Sequence, residues 1–550
     1  MNAVPGISGI GLLPNGDGVV CTWGGSQLSN GEVWIIPNLA SGTPGTPTRI
    51  TTGMREPLGV AVVGNDFYVM EKPRINRYVG SGTTWTRTTL WSLPTAWYND
   101  AQWHHFSFNL IYHNSYLWFA TGTAYDYDAN DPLQRGALIR VPLAGGSFQQ
   151  MARGLRNPFG ISLGIDGEFF ATDNQGHWKP HDMMYHIPVT GTLPTNGRFF
   201  GFRTNGNNAC GITVPNTVPI LNGGACANDP EYPPAVWIPY PFSNSPTRLV
   251  VIPGGPYAGQ MLAGDVYHGG VFRYFMEKMP NGEYQGAVFQ FQTGGTTAGV
   301  GQIITTPGGN FIATGLGGGT CGLGGSGNWN WIGTCRGLDL LSPNGTVPFE
   351  PLAIRALATG FEIEFTQITE NVAAVTTPGN YIVRTTGVTP VQAYGVDGNT
   401  GDNNIAVTVT SVTRSTDGRK VTLQLGNLQL GRMYSITLNT AIRSSTAQTL
   451  YNTVGYYTVN TVGPAAVPVK PKVEALSRNF RILRQGGTVF ISLPYHQPYQ
   501  VALFNLGGRK VAGVSGSQPG TLSTAGLKPG VYFMAGKVGE TSMREKIRVD

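Results

Sequence analysis

Residues 157–174 read NPFGISLGIDGEFFATDN: an apolar run, a turn built from Gly164, Asp166 and Gly167, and a second run rich in Phe and Ala. Period-2 apolar patterning broken by turn residues is the signature of a β-hairpin. The same unit recurs along the chain. It appears as GISGIGLLPNGDGVVCTWGG (6–25), EPLGVAVVGNDFYVMEK (56–72), FSFNLIYHNSYLWFATG (106–122), SPTRLVVIPGGPYAGQMLAGD (245–265) and GVGQIITTPGGNFIATG (299–315). The hairpins start near residues 6, 57, 106, 158, 245 and 299, about 50 apart except for one longer gap, which reads as an insertion. Strand-like runs between them, such as GEVWIIPN, PRINRYVG, GALIRVPL, DMMYHIPV and GVFRYFME, supply outer strands. Six four-stranded units over 1–345 predict a six-bladed β-propeller, which closes on itself and so leaves only short edges.

The period stops after PNGTVPFEPL. Alternating strands from 349 to 462 (FEIEFTQI, IAVTVTSVTR, KVTLQLGNL, MYSITLNTAI, GYYTVNTV) predict an Ig-like or fibronectin-like β-sandwich. Residues 463–475, within VGPAAVPVKPKVEA, read as a Pro-rich linker. From 476 to 550 a second small β domain follows. The fold class expected is therefore all-β throughout.

Composition narrows the function classes. Only 12% of the 550 residues are charged and 78 are Gly, a balance typical of extracellular β proteins. The net charge of +6 is spread thinly, without the basic runs or aromatic-basic interleaving that grip phosphate backbones, so nucleic acid is excluded as a partner. No apolar run approaches the roughly 18 residues of a membrane span. The start MNAVPGISGI lacks the charged and apolar regions of a signal peptide, leaving open a removed leader or a different route. Cys210 and Cys226, and Cys321 and Cys335, bracket irregular loops and read as two local disulfides, implying an oxidising compartment. No pair has the C-x2-4-C spacing of a zinc site. Cys21 reads as a small buried hydrophobe in a strand.

The C-terminal segment resembles the type A sorting domain of the type IX secretion system, through VALFNLGGRKVAG (501–513), LKPGVYFMAGKVG (527–539) and the ending REKIRVD. That resemblance implies the type IX secretion machinery as a partner, and a location outside the cell or on the outer surface of a Gram-negative bacterium.

The propeller resembles the soluble PQQ-dependent sugar (glucose/sorbosone) dehydrogenase superfamily. Closer still is a branch of secreted dehydrogenase-like proteins often joined elsewhere to cytochrome domains. The carrier is GLRNPFGISLGIDGEFFATDNQGHW, with WHHFSFNLIY, AGQMLAGDVYHGGVFRYF and GEYQGAVFQF in support. The resemblance implies a sugar substrate, PQQ and Ca²⁺. It matches the catalytic base to His105, or else His104, and imidazole suits that role because its ordinary pKa lies near working pH. Arg156 and Asn157 match the pair that faces the quinone oxygens. Asp173, Asn174 and Gln175 close the hairpin at the cofactor, and Gly176 and His177 fall where backbone carbonyls meet Ca²⁺.

Two departures stand out. PQQ is a tricarboxylate and needs several cationic donors. Where the family has a lysine this chain has His268, and where it has an R-x-R pair this chain has Gly299 and Gly301.

Other readings concern metals and aromatics. His177, His181, Asp182 and His186 could form a transition-metal site. Asp126, Asp128, Asn130 and Asp131 could form a calcium loop, or a solvated acidic one. Trp97, Tyr98, Trp178, Trp329 and Trp331 could stack on sugar rings, or fill the space between blades. Two functions are thus expected to compete: a secreted oxidoreductase acting on a sugar hydroxyl, or a catalytically degenerate propeller serving as an extracellular binding or surface-assembly module.

Overall fold

The structure, a computed structural model, describes residues 4, 6–125, 131–176, 179–188, 197–202, 231–239, 242–267, 269–292, 299–316, 337–388, 404–462, 481–485, 488–493, 499–516, 520–523, 527–528, 530–538 and 541–549. They are nearly all β; the single α-helical turn among them is Ala373–Thr376.

Six sheets stand in a ring, each a meander in sequence order. Blade 1 holds Ile7–Leu12, Gly18–Thr22, Gly31–Ile36 and Thr48–Met54, and blade 2 holds Gly59–Val63, Asp66–Glu71, Arg74–Ser81 and Thr84–Ser92. Blade 3 holds Ser107–His113, Tyr116–Thr121, Ala137–Pro142 and Gln149–Arg153, with Arg198–Phe199 added in parallel outside. Blade 4 holds Gly160–Leu163, Phe169–Asp173, Asp182–Ile187 and Val236–Ile238, so the long gap in the repeat lies between its third and fourth strands. Blade 5 holds Val250–Val251, Met261–Asp265, Gly270–Lys278 and Tyr284–Gln292. Blade 6 shows three strands among the described residues: Val300–Thr305, Phe311–Gly315 and Gly337–Leu341.

The innermost strands approach so closely that some positions admit no side chain. A Cβ on Gly59 would land on the backbone of Asn109 in blade 3, and one on Gly160 would land on Thr247 at the start of blade 5. This is why the hairpins carry PLGV and PFGI at the same place. Hydrogen bonds complete the ring. Ser162 Oγ donates to Leu249 O at 2.8 Å between blades 4 and 5, and Gln302 Nε2 of blade 6 donates to Ser8 O of blade 1 at 3.1 Å. Between blades, aromatic pairs fill the wedge: Trp118 stacks on Phe169 at 4.4 Å, and Trp97 packs edge-on against Phe148 at 4.4 Å. Trp97 thus fills space between blades and is 6% exposed.

The sandwich has one sheet of Pro351–Leu357, Gly360–Phe365, Lys420–Leu425 and Val409–Arg414, and a second of Ile405–Val407, Tyr381–Gly387, Arg432–Leu438 and Val454–Val459. The second sheet runs on into the propeller. Val454–Val459 pairs antiparallel with the outer strand of blade 5, setting Ala287 opposite Tyr457 and Phe289 opposite Gly455. Ala287 and Phe289 join Phe361, Ile363, Tyr434 and Tyr457 in one core, so blade and sandwich share their buried surface.

Residues 466–550 form a separate unit of two sheets. One contains Arg481–Gln485, Thr488–Leu493 and Gly520–Ser523; the other contains Lys510–Gly516, Tyr499–Asn505, Gly530–Val538 and Thr541–Val549. Cys21 is buried and free, as its strand setting predicts. The four other cysteines, and with them both disulfides read from the sequence, lie outside the described residues, as does the linker 463–475.

Candidate functional site

All six innermost strands begin at the same end of the ring, and the loops leaving their hairpin partners end there too. This end is the mouth. Three blades use one device to hold it. An acid at the end of the second strand accepts backbone N–H groups from the loop entering the first strand of the same blade. Glu71 Oε2 takes Arg55 N at 2.7 Å. Asp173 takes Arg156 N at 2.7 Å, Asn157 N at 2.6 Å and Asn174 N at 2.9 Å. Asp265 Oδ2 takes Ser243 Oγ and Asn244 N, each at 2.7 Å, and Ser245 N at 2.9 Å. The recurrence of YVMEK, ATDN and AGDV is the sequence signal for this clamp. It commits Asp173 to the scaffold, and complete burial pushes that carboxyl up to about 6.

The two histidines of WHHF are held differently. His105 Nδ1 accepts from Asn99 N–H at 3.0 Å, so the proton sits on Nε2, which lies 2.8 Å from Asp131 Oδ1. Asp131 is fixed in turn by Ala124 N at 2.8 Å, and burial pulls the His105 pKa down. Both nitrogens of His105 are therefore engaged. His104 Nδ1 donates to Thr123 O at 2.8 Å, and its Nε2 carries no hydrogen bond among the described residues. Burial, with Arg156 adding to it, holds His104 well below the usual histidine range, leaving a neutral imidazole with a free lone pair. Its ring packs among Trp103, Phe106 and Tyr125, at 4.9, 5.6 and 5.9 Å between ring centres. Trp103 is 41% exposed and forms an aromatic rim.

Arg156 Nη1 donates to Gln175 O at 2.8 Å, and its guanidinium lies 5.8 Å from the Tyr125 ring. Gly176 makes room for it, because a Cβ there would strike the Arg156 side chain. The Gly176 carbonyl accepts Lys179 N–H at 3.0 Å in a tight return turn. His177 and His268 lie outside the described residues, as do Asp126, Asp128, Asn130, Trp178, Trp329 and Trp331. Gly299 O is taken by Leu316 N–H, and Gly301 packs against Leu316, so this part of blade 6 presents no cation.

Across blades 4 and 5 the mouth holds buried side-chain atoms with no hydrogen-bond partner among the described residues. They include Asn157 Oδ1, Asn174 Oδ1, both amide atoms of Gln175, both nitrogens of His181, Asp182 Oδ2 and Asn244 Oδ1, with Thr247 Oγ1 and Tyr274 Oη of blade 5. The residues are between 0% and 8% exposed. Asn244 and Trp103 escape a search for catalytic motifs. The signal for Asn244 was the recurrence of N-S-P before blade 5 where N-P stands before blade 4.

The transition-metal reading of this loop loses His186. His186 sits four residues beyond Asp182 on one strand, about 13 Å along it, opposite Phe170, and bonds Glu283 Oε2 at 3.0 Å. It does not converge with His181 and Asp182, and no group of three or more His, Cys, Asp or Glu suited to a metal occurs among the described residues.

Burial lowers His181 to about 4. The unfolded chain takes up this proton below about pH 6.5 and the folded one does not, so the contribution is present above 6.5 and lost as pH falls toward 4, worth about 3 kcal/mol. Chemical denaturation of His181→Gln beside the wild type should show the variant gaining that much relative stability between pH 6.5 and 4. Parallel pH curves would mean that the ring is not held neutral by burial.

No family model matches the chain, and no curated protein matches it. Among solved structures it is similar to the PQQ-bound aldose sugar dehydrogenase of Streptomyces coelicolor, at 13% identity and a TM-score of 0.41 over 62% of this chain and 95% of that one. It is also similar to the pyranose dehydrogenase PQQ domain of Coprinopsis cinerea, at 10% identity and a TM-score of 0.37 over 83% of this chain and 94% of that one. At such distances neither superposition carries residue roles or ligands across.

Proposed function

We propose that the mouth binds a polyhydroxylated, sugar-type ligand on a quinoprotein-like propeller scaffold, and that this is a binding module in which the cofactor site has degenerated. The observation that carries this is the set of buried, unpartnered amide, carboxyl and imidazole atoms on blades 4 and 5. Each such atom left unsatisfied costs about 1–3 kcal/mol, and planar polar side chains beside an exposed aromatic ring are what hydroxyl-bearing rings bind. Trp103 and Tyr125 supply that ring surface.

Among the described residues, those present do not fit PQQ. Three carboxylates would need cations, yet Gly299 and Gly301 bring none, and among the described residues Arg156 is the cation that acts on the buried carboxyls of Asp173 and Asp182. The Gly176 carbonyl already accepts the Lys179 N–H, which leaves one lone pair for a cation.

A second reading, oxidation of a bound sugar hydroxyl, is favoured by the free Nε2 of His104. That atom, rather than one on His105, would take the proton. Calorimetric titration with an oligosaccharide panel and with PQQ, each with and without Ca²⁺, separates the two readings. Sugar binding without PQQ binding is expected. Tight PQQ binding, with dye reduction that His104→Ala abolishes, would make the protein an oxidoreductase.

Residues 476–550 are proposed as an export address for type IX secretion, which would place the chain at the outer surface of a Gram-negative bacterium. The support is the LKPGVY turn and its flanking strands. A reporter fused to this segment should reach the medium or the surface only in cells with that machinery.

A further inference from the structure

We infer that the terminal unit, residues 466–550, carries a sheet face that docks on an anionic membrane surface, which is independent of the sugar reading of the mouth. The charge that lies thin along the sequence is unevenly shared. Residues 466–550 hold 12 Lys and Arg against 4 Asp and Glu, a net +8, while residues 1–465 hold 24 against 26, a net −2. Such asymmetry within one chain points to an anionic partner for its basic part.

Strand pairing gathers the cations. Directly paired residues of an antiparallel sheet share a face. In the four-stranded sheet of this unit, Phe504 pairs with Lys510 on one side and Phe533 on the other, and Phe533 pairs with Lys546. One row across the sheet therefore reads Lys510, Phe504, Phe533, Lys546. The next row on the same face reads Gly513, Ala502, Ala535, Arg544, and the one after it sets Lys537 opposite Gln500. No Asp or Glu stands in these rows. Gly513 lets the Lys510 side chain cross the face, since a Cβ there would lie 2.9 Å from the Lys510 Nζ. The alternate residues Val501, Leu503, Tyr532 and Met534 are buried, so the basic face is the outer one. Lys510, Lys537, Arg544 and Lys546 are exposed on it. Phe533 is 46% exposed, and Leu506, in the turn after Phe504, is 73% exposed.

The rings choose the occupant. Phenylalanine has no polar tip, so a soluble polyanion would use the cations and leave the rings in water. At a bilayer the rings enter the boundary between headgroups and acyl chains, while the flanking lysines stay level with the phosphates and are drawn by the negative surface.

The test is co-sedimentation of the full chain, in EDTA, with vesicles of phosphatidylcholine alone and of phosphatidylcholine mixed with phosphatidylglycerol. Binding to the mixed vesicles should be at least tenfold tighter than to the neutral ones and should weaken as NaCl is raised. The double variant Lys510→Gln, Lys546→Gln should lose about tenfold or more, and so should Phe533→Ser, with sugar binding at the mouth unchanged in both. Absence of binding, or equal binding to the two kinds of vesicle, overturns the proposal. Wild-type affinity in Phe533→Ser, with dextran sulfate bound as tightly as the mixed vesicles, gives the face to a soluble polyanion and also overturns it. Should a variant misfold, as judged by circular dichroism, the vesicle preference of the wild type and its salt dependence still decide.

Discussion

A chain ending at residue 345 is expected to aggregate rather than fold as a free propeller. The cut removes strand Val454–Val459 from the edge of blade 5, exposing the unpaired backbone groups of Tyr284–Gln292, the kind of open edge that templates aggregation. It strips Ala287 and Phe289 of Phe361, Tyr434 and Tyr457. It also strands Arg273, which is 0% exposed and donates to Pro351 O at 2.7 Å and Leu352 O at 2.8 Å, with Glu350 at 3.6 Å. A buried guanidinium left with Gln260 Oε1 and without its other acceptors is costly, and the point variant Glu350→Ala isolates part of that cost. Glu350 also accepts from Tyr257 Oη and Asn452 Nδ2, so its loss should lower stability by about 3–5 kcal/mol. Size-exclusion chromatography of the truncated chain and urea melts of the point variant check both. A monomeric truncated chain melting within a few degrees of the full one would show that the shared sheet is a contact and not a support.

This coupling was not legible in the sequence, and the reason is physical. The strand GYYTV alternates in the same way whether its outer edge meets solvent or blade 5, and the partners Phe289 and Gly455 have no local relation. The hairpins were legible because their turns and period-2 runs are local, and because close approach at the axis forces glycine into PLGV and PFGI. The same logic divides the site. Arg156, Asn157 and Asp173 lie within one hairpin, so the sequence places them together. Which of two adjacent histidines keeps a free nitrogen depends on Asp131 and Asn99, held by separate loops, and adjacency alone cannot rank them. The insertion before blade 5 hid the kinship of Asn244 with Asn157 in the same way.

Lys72→Met should cost about 3–5 kcal/mol and, separately, loosen the ligand. Lys72 and Glu56 are both 0% exposed, and the ammonium lies 3.0 Å from Glu56 Oε2 while donating to Gln102 O at 3.1 Å. Burial lowers the Lys72 pKa, and Glu56 acts against that shift by favouring the charged form. Removing the lysine leaves Glu56 as a buried charge whose remaining hydrogen bond is from Gln27 N at 2.8 Å. Adding Glu56→Gln removes that charge, so the double variant should recover most of the loss in urea melts, the non-additivity expected of a buried pair. Ligand affinity should not recover with it. Gln102 O also receives His105 N–H at 3.2 Å, so Lys72 pins the loop that presents Trp103 and His104 to the mouth, and the Glu56→Gln change does nothing to restore that anchor. Calorimetry should therefore find sugar binding weakened about tenfold or more in the single and double variants alike. Affinity that returns with stability would mean that the lysine acts on the fold alone, and that the aromatic rim of blade 3 holds its place without it.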